Sequence, residues 1–169
     1  MPRPFTTFLL AFALAGCGHF GSSPAPSTPT SVVRLPPDAS VPTDPKAHDV
    51  VIFALGLVDT GYRFGGKNPE AGLDCSGMVR YVFNKAAGLH LGGSAADQAR
   101  QGKPVGGIGL RPGDLLFFNT RNQAYSHVGI YIGDGRFVHA PSSNGKVRTE
   151  NLTRGWFATR FEEARTYFD

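Results

Sequence analysis

The spacing of apolar residues changes once along this chain, and that change limits what it can fold into. Before Gly102 the spacing is helical. After the turn Arg111-Pro112-Gly113-Asp114 it becomes the two-residue period of strands. Asp44 as N-cap and Pro45 in the first helical position start a helix in which Val51, Ala54, Leu55 and Val58 recur at i, i+3, i+4 and i+7, with Gly61 as its stop. A second helix begins at Cys75, turns Val79, Val82, Phe83 and Ala86 inward, and stops at Gly88. Ser94 and Asp97 cap a short third helix that ends before Gly102. Strands are then expected at 115–118, 127–132, 136–140, 146–152 and 161–167, with a helical turn at Glu162-Glu163-Ala164-Arg165 as the alternative for the last. Helices first and strands afterwards define an α+β domain, with N-terminal helices packed on an antiparallel sheet of about five strands.

This domain is expected to occupy residues 46–169. Residues 1–16 read as an export signal, with Arg3 ahead of an apolar stretch from Phe5 to Ala15 that is too short to span a membrane. That stretch closes on Leu14-Ala15-Gly16-Cys17, which is similar to the lipobox of bacterial lipoproteins and implies lipid on Cys17. Gly18, in place of Asp, favours the outer membrane by the same resemblance. Residues 17–45 are dominated by Pro, Ser and Thr and have little to bury, so they are expected to form a disordered tether. A net charge of +4 without any basic run argues against nucleic acid as a partner.

With two cysteines in the whole chain and Cys17 assigned to lipid, Cys75 is a lone thiol in an oxidising compartment, which points to chemistry. A helix N-terminus favours negative charge, so Cys75 is expected to have a lowered pKa. His127 and His139 flank the hairpin signal Gly133-Asp134-Gly135. A two-residue turn at Asp134-Gly135 would pair Ile130 with His139 and put the two rings on opposite faces. A three-residue loop with Gly135 left-handed in a bulge would pair Gly129 with His139, bring the rings together, and leave room for an imidazole over Gly129. The three-residue loop is the expectation. A zinc site built from these three residues would lack the usual short ligand spacing, so no metal or cofactor is expected. His19, His48 and His90 are read as ordinary surface or packing residues.

Four blocks resemble the signature of the NlpC/P60 family. They are Asp74-Cys75-Ser76-Gly77, Arg111 to Phe118, Ser126 to Gly133, and Gly135 to Ala140. The resemblance runs over about residues 48–169 and implies a papain-like fold and cysteine peptidase activity on the stem peptides of peptidoglycan. It makes Cys75 the nucleophile, His127 the general base and His139 the residue that orients it. Tyr62 would contact the site near the oxyanion, and Asp74 and Ser76 would line the substrate side, with helix capping as the plainer role for Asp74. Many relatives have Trp where this chain has Phe64. The bond implied is either D-Glu–diaminopimelate or the D-Ala–diaminopimelate crosslink, and both stay open. A non-catalytic wall-binding scaffold lipoprotein and an acyl-transferring relative are the rival functions. The expected setting is the periplasm, with the membrane reached through lipid on Cys17 and an adaptor or inhibitor protein as a further partner.

Overall fold

The computed structural model describes residues 44–106, 109–142 and 145–169. The expected signal, Cys17 and the tether through residue 43 lie outside them. Helix α1 (Pro45–Leu55) starts as expected, with the Asp44 carboxylate accepting the Lys46 N–H at 2.8 Å. Its inward stripe is Ala47, Val50 and Ala54, followed by Leu57, while Ile52, Leu55 and Val58 face outward. The expected stripe was therefore wrong apart from Ala54. An unbroken apolar run from Val50 to Leu55 fits several helix faces, and close packing selects among them. Gly113, at φ +98°, comes so near that a Cβ there would lie 2.9 Å from the Ala47 Cβ, and only a small residue allows that approach. The helix also ends at Leu55 and not near Gly61, which instead bridges to Lys146.

Helix α2 (Cys75–Val82) runs on into a π-helical turn, Phe83–Ala87, before Gly88 closes it in the left-handed conformation. Met78, Val79, Val82 and Phe83 are fully buried. The wider turn shifts the helical phase, so Ala87 follows them into the core where Ala86 was expected and Ala86 is only partly buried. Helix α3 (Ala95–Gln101) has the expected reciprocal cap between Ser94 and Asp97.

A two-stranded ribbon, β1 (Lys67–Asn68) and β2 (Gly72–Leu73), leads into α2. The main sheet comprises β3 (Lys103–Val105), β4 (Leu115–Phe118), β5 (His127–Gly133), β6 (Arg136–His139), β7 (Arg148–Asn151) and β8 (Phe161–Thr166). It is antiparallel throughout, in the order β3-β8-β4-β5-β6-β7. All five expected strands are present. The sixth, β3, is three residues long and contains Pro104, which suits an edge and shows no alternation in sequence. Leu115, Phe117, Val128, Ile130 and Val138 face the helices, while Leu116, Phe118, Tyr131 and Phe137 build a second apolar layer with Phe157 on the other face. Both histidines lie against that second layer, at the end of the sheet where α2 begins.

Candidate active site

Backbone contacts hold the cysteine side. Asp74 caps α2: its Oδ1 accepts the Gly77 N–H at 2.6 Å and the Ser76 hydroxyl at 3.1 Å. Its Oδ2 accepts the Gly65 N–H at 2.9 Å and so ties the Tyr62 loop to the helix start. Oδ1 thus fills the capping role expected for Asp74, Oδ2 anchors the loop, and the Ser76 hydroxyl donates to the same carboxylate. Glycine lets loop and helix meet, since a Cβ on Gly77 would sit 1.9 Å from the Gly66 carbonyl oxygen. Cys75, half-buried and unpaired, accepts hydrogen bonds at sulfur from the backbone N–H groups of Ser76 and Val128. The second of these brings the sulfur to the start of β5, next to His127.

The histidine side depends on strand register. Ile130 pairs with Val138 and Tyr131 with Phe137, the register that sets Gly129 opposite His139. The expected register is present, but a different device produces it. The loop has two residues, Asp134 and Gly135, both at positive φ as a type I′ turn requires, and an extra residue at Ile132 bulges β5 just before Gly133. That bulge supplies the one-residue shift assigned to a longer loop. Gly129 also serves another purpose than expected. A Cβ there would meet the Phe137 ring at 2.5 Å, so the missing side chain makes room for Phe137 and not for an imidazole. The two imidazoles meet directly, with His127 Nε2 2.8 Å from His139 Nδ1 and their rings nearly perpendicular. Phe157 packs on both rings, Phe118 flanks His127 and Phe137 flanks His139. That bond uses Nε2 of His127 and does not engage its Nδ1. His139 Nε2 is buried and has no protein partner among the described residues.

Electrostatics correct the expectation of a low thiol pKa. Burial, and then the Asp74 carboxylate, push Cys75 above its ordinary 9.0, outweighing the Val128 and Ser76 N–H groups and the Arg121 charge. Burial, helped by Arg121 and Arg148, pulls His127 down to about 4. Burial, helped by His127 and Arg148, takes His139 to about 2. Both shifts favour the neutral thiol and the neutral imidazole. Tyr62 lies near both Cys75 and Asp74, its hydroxyl bonded to the Arg121 side chain and its pKa raised mainly by burial. Among the described residues, no group of three or more His, Cys, Asp or Glu is arranged to hold a metal.

Several residues at this site went unnoticed in the sequence. Arg121, in the loop before β5, faces Tyr62, Cys75 and His127 together. Gln98 is fully buried and donates from Nε2 to the Ser76 carbonyl at 3.0 Å, fastening α3 to the first turn of α2. A polar residue among the buried alanines of α3 was a readable signal for Gln98. Arg121, in a polar loop, offered none.

The NlpC/P60 family model matches residues 59–166, and the chain belongs to that family. It is 40% identical over 104 residues to the murein DD-endopeptidase MepS/murein LD-carboxypeptidase of Escherichia coli strain K12, covering 62% of this chain and 54% of that relative. To the gamma-DL-glutamyl hydrolase of Bacillus subtilis strain 168 it is 37% identical over 130 residues, covering 75% of this chain and 31% of that one. The chain spans about half the length of the first of these curated relatives and a third of the second. Among solved structures, the NlpC/p60 domain of the peptidoglycan hydrolase SagA matches with a TM-score of 0.62 at 33% identity, covering 71% of this chain and 97% of that one.

Proposed function

We propose that this protein is a cysteine peptidase that hydrolyses amide bonds in the stem peptides of peptidoglycan, with Cys75 as nucleophile, His127 as general base and His139 as the residue that orients it. The 2.8 Å bond between the two imidazoles carries this reading, because it fixes one ring beside a thiol held at a helix start. With both groups neutral at rest, His127 Nδ1 takes the Cys75 proton as sulfur attacks the carbonyl carbon, and no standing ion pair is needed. Negative charge then develops on the carbonyl oxygen. The Cys75 N–H, the first of its helix and so without an intrahelical acceptor, and the Tyr62 hydroxyl are the donors assigned to it. Protonated His127 gives its proton to the departing amine, and water releases the acyl group from sulfur.

The D-Ala–diaminopimelate crosslink is the first candidate bond, supported by the DD-endopeptidase names of two Escherichia coli relatives. The D-Glu–diaminopimelate bond is the second; the Bacillus relative's name, gamma-DL-glutamyl hydrolase, matches the glutamyl side of such a bond only. The leader sequence supports a lipid anchor on Cys17 and a periplasmic site of action at the outer membrane. Replacing Cys75 with Ala should abolish release of muropeptides from purified sacculi, a loss of about 10⁴-fold or more, with the fold retained. Mass spectrometry of the wild-type digest identifies the bond. Undiminished turnover by Cys75→Ala would overturn the assignment of Cys75 as nucleophile, whereas a wild-type protein that releases no muropeptides would favour a scaffold.

A further inference from the structure

A recess of about 270 Å³ opens beside His127. Its lining comes from the sheet and its loops; among the described residues, neither α2 nor the Tyr62 loop borders it. It is smaller than the roughly 300–1,000 Å³ of a drug-sized site and suits one amino-acid residue. Two arginines, Arg148 and Arg154, line it against one acid, Glu150. Arg148 reaches Glu150 through Nε at 2.9 Å, a half-exposed pair worth little that leaves its terminal nitrogens for other acceptors. Arg154 has no ion-pair partner among the described residues. Phe157 and Trp156 form the apolar walls. The Arg160 guanidinium, 3.9 Å from the Trp156 ring centre, braces the half-exposed indole at the rim and adds positive charge there.

The chemistry at His127 tells which part of a substrate reaches this recess. The base that accepts the thiol proton later delivers it to the departing amine, so the residue carrying that amine lies on the His127 side of the scissile bond. We propose that the recess holds this departing residue and that Arg154, seconded by Arg148, binds a free carboxylate on it. The inference rests on the peptidase reading and adds a preference to it: substrates whose departing residue carries a free carboxylate over those in which it is amidated.

The test uses the full chain carrying Cys75→Ala, titrated with crosslinked muropeptide dimers whose diaminopimelate carboxylates are either free or amidated. The free form should bind about tenfold tighter. Adding Arg154→Gln should equalise the two, and Arg154→Lys should restore part of the preference. In the protein with Cys75 intact, Arg154→Gln should raise KM for the free form about tenfold with little change in kcat. Arg154 is exposed, so loss of fold is not expected. Equal binding of the two dimers, or a preference that survives Arg154→Gln, overturns the proposal even if the wild-type protein digests sacculi. An Arg154-dependent preference in a protein that cleaves nothing would uphold the recess as an anion site and sink the peptidase reading.

Discussion

The two walls of the candidate site, helical and sheet, hold their side chains by different means. On the helical wall, Cys75 is placed by backbone. The Gly66 carbonyl lies where a Cβ of Gly77 would be, and one carboxylate, Asp74, gathers two N–H groups and a hydroxyl around the helix start. On the sheet wall, His127 and His139 are placed by strand register and by three phenylalanine rings. A helix terminus has unpaired donors that a few local bonds must satisfy, so its geometry depends on those bonds and on the space they need. A strand pair satisfies its backbone through the ladder and leaves side-chain position to packing. The helical wall should therefore tolerate almost no added volume, and the sheet wall should accept a replacement that keeps the right atom in the right place.

Gly77→Ala tests the first half of that contrast and should have the largest effect. The new methyl would meet a backbone oxygen at 1.9 Å, which no rotamer change relieves, so loop and helix must separate. A stability loss of about 3 kcal/mol or more is expected by chemical denaturation, at the upper end for overpacking, together with loss of sacculus digestion. A variant of wild-type stability and activity would show that the helix start is more pliable than the comparison holds.

His139 tests the second half. Its Nδ1 is two bonds from Cβ, where the Oδ1 of an asparagine would also stand. For His127 Nδ1 to receive the thiol proton, Nε2 must carry the ring proton and donate it to His139 Nδ1. His139 must then hold its own proton on Nε2, which is buried without a protein acceptor among the described residues. His139→Asn preserves the acceptor and exchanges the ring Nε2–H for an amide NH2 nearer the backbone, so kcat should stay within about tenfold of wild type. His139→Ala strands the His127 N–H in the interior, at about 1–3 kcal/mol, and kcat should fall roughly 10- to 100-fold. Equal losses in the two variants would mean that the ring matters for its bulk and not for its acceptor.

The same contrast explains what could be read from the sequence. Local rules were legible: the Asp44 and Ser94 caps, the strand at Leu115–Phe118, and Cys75 at a helix start all follow from neighbours a few residues apart. Features set by distant packing were not. The face that α1 buries depends on Ala47 meeting Gly113, and the thiol pKa depends on burial that no helix-start rule contains. The hairpin lies between these cases. Its register could be counted, but a bulge at Ile132 and a longer loop give the same pairing, and Gly133-Asp134-Gly135 is compatible with both. Arg121 and Arg154 lie in polar loops, where sequence does not show which way a side chain faces.

Asp114 offers the smallest effect and a sign that can be checked. It directly precedes β4, 2% exposed, with Oδ2 accepting the Arg111 N–H at 2.8 Å. Burial raises it from 3.8 to about 6 against the pull of that bond and of Thr166 and Arg111. Between those values the folded protein binds the proton more tightly than the unfolded chain does. The contribution of this group is thus fully present below pH 3.8 and is lost as pH rises through about 6. The two histidines act the other way. Their folded pKa values are depressed, so their contribution is intact above pH 6.5 and is lost as pH falls, for His127 through about 4. Asp114→Asn removes only the first of these dependences, and its amide oxygen can still accept from Arg111. Histidine titration is common to both proteins and cancels in their difference. The stability of Asp114→Asn relative to wild type should therefore rise between pH 3.8 and about 6, by roughly 1–3 kcal/mol, and level off above that. Denaturation curves across that range measure the difference. A difference independent of pH, or one that falls as pH rises, would show that burial does not disfavour the carboxylate at this end of the sheet.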